Sequence, residues 1–212
     1  MKLSEVELRR LKLPLVSPFR TSFGSQTERD VLVVKVTTPD AEGWAECSAL
    51  EDPVYSPEYV QGAAEMMTRY LIPALRDAGD VRAETVGPTL AFIKGNRMAK
   101  AALETAILDA ELKARGQSLG SYLGATKERV PAGVSVGIMN SIPELLDAVE
   151  KYLEQGYLRI KLKIEPGWDI EPVCALCGRS SVRISCSRST PTPRTSWPTR
   201  RIWRGWTRST CC

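Results

Sequence analysis

The chain has 212 residues, enough for one large domain or for one complete domain and part of another. Its formal net charge of +4 averages two unlike segments, because residues 1–173 carry 21 basic and 25 acidic side chains, whereas residues 174–212 carry eight Arg and no Lys, Asp or Glu. No apolar run approaches the roughly 20 residues that span a bilayer, and residues 1–13 alternate charged with apolar side chains instead of forming a signal-peptide core. We therefore expect a cytoplasmic protein without a membrane partner.

Cysteine usage excludes further classes for the first segment. Only Cys47 lies within residues 1–173, which supports neither a disulfide framework nor a cysteine zinc site there. The other five cysteines lie in residues 174–212, where Cys211 and Cys212 are adjacent and therefore poorly spaced as zinc ligands.

The first 125 residues predict an α+β domain, a small antiparallel sheet followed by helices. Period-two alternation and Val-rich runs predict strands over residues 5–13, 30–37 and 43–47. The segment between the first two strands contains Pro14, Pro18 and Gly24, which predict a loop.

Three helices are expected to follow that sheet. Apolar residues at helical spacing predict a helix over residues 59–71, a second over 81–92 and a third over 98–115, with Gly116 placed as the stop of the third.

From Val130 onward the pattern becomes strand, helix, strand. Residues 130–138 form a near-continuous apolar run, a capping box begins a helix at residues 141–144, and residues 158–164 read as a strand again. Short links of this kind mark a βαβ unit in a parallel sheet. One such unit cannot cover its own faces, so the chain begins a larger α/β domain.

Two lysines on the last of these strands carry the chemistry. Strand side chains alternate, so Lys161 and Lys163 point the same way. Two enclosed ammonium groups repel one another and lose hydration, which lowers the pKa of at least one and makes it a competent base beside a carboxylate. A solvated strand face with two lysines is the alternative, although an inner parallel strand is usually covered.

Four short motifs stand out besides the order of the two domains: S-P-F-R-T-S-F-G at residues 17–24, K-G-N-R-M-A-K at 94–100, S-V-G-I-M at 135–139 and K-L-K at 161–163. In these features the chain resembles the enolase superfamily, in its muconate-lactonising-enzyme subgroup. The resemblance is closest to o-succinylbenzoate synthases that also racemise N-succinyl or N-acyl amino acids.

This resemblance implies a capping domain at residues 1–125 over a modified TIM barrel that starts at residues 126–173. In such enzymes a divalent metal, usually Mg²⁺, holds the carboxylate of a small-molecule substrate and stabilises the enediolate formed when the α-proton is removed. The expected activity is dehydration to o-succinylbenzoate in the menaquinone pathway together with racemisation, in a homo-oligomer. Dipeptide epimerisation and muconate cycloisomerisation are the alternatives within the superfamily, and a noncatalytic capping-domain fragment is the alternative outside it.

The resemblance also implies roles for individual residues. Lys163 would be the base and Lys161 the neighbour that depresses its pKa. Phe19 and Phe23 would close over the succinyl or acyl group, and Ser135 and Met139 would line the pocket. For these last four residues, ordinary packing or loop contacts are an open alternative.

Residues 174–212 depart from the family pattern and are expected to be non-native. Codons can be chosen for residues 188–193 that give Q-V-D-A-N-T when they are read one base earlier. Codons for residues 206–212 can likewise be chosen that give L-D-P-F-D-L-L. Both strings resemble the family's sequence, so a one-base frameshift explains the composition of residues 174–212. The family places a metal-binding Asp where this chain has Ser189. We therefore expect no metal ligands and no activity in the chain as written. A nucleic-acid arm, in which Arg neutralises phosphate and Trp stacks on bases, does not explain five cysteines.

Overall fold

The computed structural model describes residues 1–21, 24–165 and 167–168 and the backbone of residues 183–187. The chain divides into two compact units. The first unit comprises Met1–Leu15 and Glu28–Glu128, and the second comprises Val16–Thr27 and Arg129–Cys212. The predicted α+β domain and the parallel strands that follow it are both confirmed.

The first sheet has three strands in the order β1-β2-β3. They are β1 (Glu5–Thr21), β2 (Gly24–Thr37) and β3 (Glu42–Cys47). β2 and β3 are antiparallel, with Leu32 opposite Cys47 and Val36 opposite Gly43. From Leu32 to Thr37, alternate residues of β2 are buried, so this face of the sheet packs on helices as the period-two pattern predicts.

The predicted loop between the first two strands is wrong. β1 continues through Pro14 and Pro18 to Thr21, and β2 already begins at Gly24. β1 is an edge strand, so every second backbone N–H points away from β2 and needs no partner in the sheet. Pro14 and Pro18 are four residues apart, so in a regular strand their nitrogens point to the same side, and one open side of an edge strand can accommodate both.

Helices cover the rest of the first unit. They are α1 (Val60–Met66), a π-helix (Met67–Leu71), α2 (Ile72–Asp77), α3 (Ala83–Thr89), α4 (Arg97–Ala114) and the short α5 (Leu119–Tyr122). The three predicted helices are confirmed, and the first of them continues through a π-turn into α2. Pro73 explains that turn, because a proline ring inside a regular α-helix clashes with the carbonyl four residues earlier.

The core of the first unit lies between the sheet and the helices, with α4 packed on β3. Leu103, Ala106 and Ile107 of α4 are fully buried. The approach is closest at Gly43, where an added Cβ would collide with the Ala106 carbonyl oxygen and would lie 2.5 Å from the Ala110 nitrogen. Glycine is therefore required at this position of β3 by packing, without any unusual backbone angle.

The second unit contains a parallel sheet of order β4-β5-β6. Its elements are β4 (Gly133–Val136), α6 (Ile142–Glu154), β5 (Arg159–Lys163) and β6 (Arg183–Ser187). The predicted βαβ unit is confirmed, since β4 pairs parallel to β5 and Ser141 caps α6. β6 lies in the segment for which the sequence predicted no native element, and it pairs parallel to β5 along its other side.

α6 covers one face of this sheet. The buried side chains are Val136, Leu145, Val149, Ile160 and Leu162. β5 therefore has strands on both sides and an apolar face beneath, which leaves its other face for chemistry. None of the helices in the described part of the chain combines the length and apolar character that a membrane crossing requires.

Candidate active site

The two lysines of β5 lie on the face opposite the α6 core. Along the strand, Ile160 and Leu162 are buried, whereas Lys161 is exposed and Lys163 is half-buried. In the register of the sheet, Lys161 lies between Ser135 of β4 and Ser185 of β6. Lys163 is therefore the more enclosed of the two ammonium groups.

Its surroundings lower the pKa of Lys163. Burial is the larger cause, because the ammonium loses hydration, and repulsion from Lys161 adds to it. No carboxylate among the described residues forms an ion pair with Lys163 to oppose this effect. A lysine in such a position gives up its proton more readily than one in water and can therefore act as a base.

An aromatic ring covers this amine. The Nζ of Lys163 lies 6.0 Å from the centroid of the Phe19 ring. At that distance the attraction between cation and ring is near its limit, so what the ring adds beside the amine is mainly apolar surface. Phe23, which was expected to act beside Phe19, lies outside the described residues.

A cavity of about 290 Å³ opens beyond the carboxyl ends of β4 and β5. Its lining comprises Arg20, Ile138, Met139, Asn140, Glu165, Gly167 and Trp168. Ligands of parallel sheets bind at this end of the strands, where loops and strand ends converge. The geometry thus provides a small concave site that follows directly from the strand carrying Lys163.

An ion pair lies across this cavity. Nη2 of Arg20 donates to Oε1 of Glu165 at 3.2 Å. The Arg20 side chain is 48% exposed and that of Glu165 is 25% exposed, so water reaches the pair and weakens it.

The structure places the expected site residues in two groups. Phe19, Lys161 and Lys163 lie together, with Ser135 exposed beside Lys161 in the register. Met139 lines the cavity instead. Arg20 and Glu165 were not among the site residues predicted from the sequence. The sequence did indicate Glu165, because this residue follows β5 by two positions and so lies where parallel strands present functional side chains.

The described residues do not supply a metal site. No group of three or more His, Cys, Asp or Glu side chains among them is arranged to hold a cation. Glu165, the acidic side chain described in the cavity lining, already pairs with Arg20. The Mg²⁺ implied by the resemblance therefore finds no ligand set in this part of the chain.

An antiparallel sheet with helices, followed by parallel strands and a lysine pair, is the arrangement of the enolase superfamily. The chain belongs to the family described as mandelate racemase / muconate lactonizing enzyme, N-terminal domain, which matches residues 4–124.

Similar proteins extend the match beyond that domain. An N-succinylamino acid racemase of Amycolatopsis sp is 58% identical over 176 residues, which are 83% of this chain and 48% of the relative. An o-succinylbenzoate synthase of Geobacillus kaustophilus is 41% identical over 169 residues, 79% of this chain and 45% of the relative. A crystal structure of an enolase-superfamily member from Listeria innocua superposes with a TM-score of 0.82 at 34% identity, covering 88% of this chain and 51% of the other. The chain spans about half the length of these relatives.

Proposed function

We propose that the chain is the capping part and first catalytic strand of an enzyme that removes the proton α to a carboxylate. Its substrates are N-succinylamino acids, which it racemises, and the hydroxy acid that dehydrates to o-succinylbenzoate. The observation that carries the proposal is the position of Lys163, half-buried, next to Lys161 and under Phe19.

The chain's own residues account for one half of the proton transfer. Neutral Lys163 accepts the α-proton, and the electron pair of the broken C–H bond moves into the adjacent carboxylate to give an enediolate. The Lys161 ammonium, on the same face, stabilises the developing negative charge. Return of a proton to the opposite face of the α-carbon, or loss of the β-hydroxyl as water, requires groups beyond the described residues. The described residues include no ligand set for the cation of the family, so the proposal assigns them only the proton-handling part of the reaction.

The names of similar proteins support this substrate class over its alternatives. The relatives with 58% and 41% identity are named as an N-succinylamino acid racemase and an o-succinylbenzoate synthase. The composition of residues 174–212 also supports the proposal that this segment is out of frame, because it lacks every Lys, Asp and Glu.

The first experiment compares the chain as written with a chain whose reading frame is restored after the codon of residue 173. Exchange of the α-proton of an N-succinylamino acid is followed by NMR in D₂O with Mg²⁺, and dehydration is followed by absorbance. We expect exchange and dehydration from the restored protein and neither from the 212-residue chain. Metal-dependent turnover by the 212-residue chain would contradict the inactivity, and a restored protein that acts only on dipeptides or muconate would overturn the substrate class.

The second experiment tests the base in the restored protein. Lys163→Ala removes the proton acceptor and is expected to lower kcat about 10³-fold. Lys151→Ala, on the exposed surface of α6, is the matched control and should leave kcat unchanged. Retention of full activity by Lys163→Ala would exclude the proposed mechanism.

A further inference from the structure

We propose that the Arg20–Glu165 ion pair is a clasp that holds the end of β1 across the end of β5 and so keeps the Phe19 ring over Lys163. The functional meaning of the clasp rests on the proposed role of Lys163 as the base, whereas its effect on the surroundings of the Lys163 amine does not. It makes Arg20 and Glu165 positioning residues, since they act on the amine through Phe19.

The clasp has a rigid anchor at Glu165. The backbone N–H of Trp168 donates to the carbonyl of Glu165 at 2.9 Å, and the N–H of Glu165 donates to the carbonyl of Trp168 at 3.3 Å. This closed turn passes through Gly167 with a φ of +83°, which a residue with a side chain rarely adopts. The backbone of Glu165 is therefore held in place two residues beyond Lys163, and its carboxylate starts from a fixed position.

The other end of the clasp is positioned against β4. An added Cβ on Gly137 would lie 3.7 Å from the Arg20 carbonyl oxygen and 3.9 Å from Cδ2 of Phe19, both ordinary contact distances. The Phe19–Arg20 segment thus lies against the backbone just after β4. Because Arg20 follows Phe19 directly, fixing its guanidinium to Glu165 also limits where the Phe19 ring can move.

The ring controls how much water reaches the amine. Among the described residues, the charged groups on the elements around Lys163 are Lys161 on its own strand and Arg20 and Glu165 on the flanking segments. In the register of the sheet, Ser135 of β4 lies opposite Lys161, and positions 185 and 187 of β6 lie opposite Lys161 and Lys163. Burial is the larger cause of the lowered Lys163 pKa, so removing the cover should raise that pKa. A clasp made by a half-exposed pair is weak enough to open, which would allow a substrate to reach the amine.

Two substitutions at Glu165 distinguish its role in holding Phe19 from the direct effect of its charge on Lys163. Glu165→Asp keeps the charge but shortens the side chain by one methylene, so it opens the 3.2 Å contact. Glu165→Gln keeps the shape but removes the charge. Losing a nearby negative charge by itself lowers the pKa of an ammonium group, whereas losing the cover raises it. A rise in the Lys163 pKa in both variants is therefore the signature of the clasp.

The measurement is the pH dependence of acylation at Lys163 by an amine-selective reagent, quantified by peptide mass spectrometry on the full 212-residue chain. We expect the pH midpoint of Lys163 acylation to rise by about half a unit or more in both Glu165 variants and in Phe19→Ala. The double variant Phe19→Ala with Glu165→Asp should show no larger rise than Phe19→Ala alone. Glu65→Gln, which breaks the exposed ion pair to Arg69, is the matched control and should change nothing. Circular dichroism of each variant establishes that it folds.

Three results would overturn the clasp. These are an unchanged midpoint in Glu165→Asp, a lowered midpoint in Glu165→Gln, and additive shifts in the double variant. The readout needs neither substrate nor metal, so it is independent of the proposed function. An active Lys163→Ala enzyme would contradict the role of Lys163 as the base without bearing on the clasp. An unchanged acylation midpoint of Lys163 in the Glu165 variants would contradict the clasp without bearing on that role.

Discussion

The two units bury very different amounts of apolar surface. Among the described residues, the core of the first unit contains 21 buried side chains and that of the second contains five. Burial of apolar surface is the main favourable contribution to folding, so the first unit carries most of the stability that these residues provide.

The units also treat buried charge differently. In the first unit the fully buried Asp30 carboxylate accepts hydrogen bonds from Nε and Nη2 of Arg10, and Glu111 accepts one from the backbone of Ala83. In the second unit Lys163 loses hydration and, among the described residues, gains a like charge as its neighbour. Charge stabilises the fold in one unit and is held at a cost in the other, which is the usual relation between a scaffold and a reactive site.

Glycine substitutions give the sharpest test of this contrast in packing. Gly43→Ala places a methyl group against the Ala106 carbonyl oxygen, so β3 and α4 must separate, and we expect a loss of about 3 kcal/mol in stability. The measurement is hydrogen exchange of the α4 amides, resolved by mass spectrometry.

Gly137→Ala in the second unit is the matched control. Its added Cβ meets only ordinary contacts at 3.7–3.9 Å, so it should shift exchange little. Equal effects of the two substitutions would show that the first unit is no more tightly packed than the second.

The next largest loss of stability is expected from replacing the buried Asp30 carboxylate of the first unit. Hydrogen bonds from Arg10 hold the pKa of Asp30 below its usual value of 3.8, against the opposing effect of burial. Asp30→Asn weakens these charged hydrogen bonds and should cost about 2 kcal/mol at pH 7 by urea unfolding. Glu28→Gln, whose exposed pair with Lys12 is screened by water, should change stability by less than about 0.5 kcal/mol.

The same pair predicts a pH dependence. A carboxylate with a lowered pKa in the folded state stabilises the fold fully above its unfolded value, and that contribution is lost as the pH falls through the folded value. The difference between the original chain and Asp30→Asn should therefore be constant near neutrality and shrink below pH 3.8. A difference that persists unchanged in acid would show that the carboxylate charge is not the cause.

Sequence reasoning recovered the elements whose signal is local. The period of α4, the capping box of α6 and the alternation of β5 each follow from side chains within a few residues. It failed for residues 14–21, because whether a proline fits a strand depends on which strand lies at the sheet edge. It assigned no element to residues 183–187, because the place of β6 beside β5 is a long-range backbone pairing.

The site divides in the same way. The shared face of Lys161 and Lys163 follows from strand alternation and is found in the structure. The meeting of Arg20 with Glu165 joins segments 145 residues apart, so no local pattern reports it. Close packing at Gly43 was missed for the same reason, since the collision involves α4.

The smallest expected change in the free energy of unfolding is a gain instead of a loss, and it comes from replacing Lys163 of the second unit. The folded-state pKa of Lys163 lies below its usual value of 10.5, so at neutral pH the half-buried ammonium destabilises the fold. Lys163→Met keeps the length of the side chain without the charge and should raise stability by under about 1 kcal/mol. As the pH rises through the folded pKa toward 10.5, the native lysine loses its proton and the gain from methionine should disappear.

Urea unfolding between pH 7 and 10.5 measures this pH dependence, with Lys151→Met on the exposed surface of α6 as the control. Destabilisation by Lys163→Met at pH 7 would show that the amine is held favourably, and the contrast between scaffold and reactive site would then fail at its central residue.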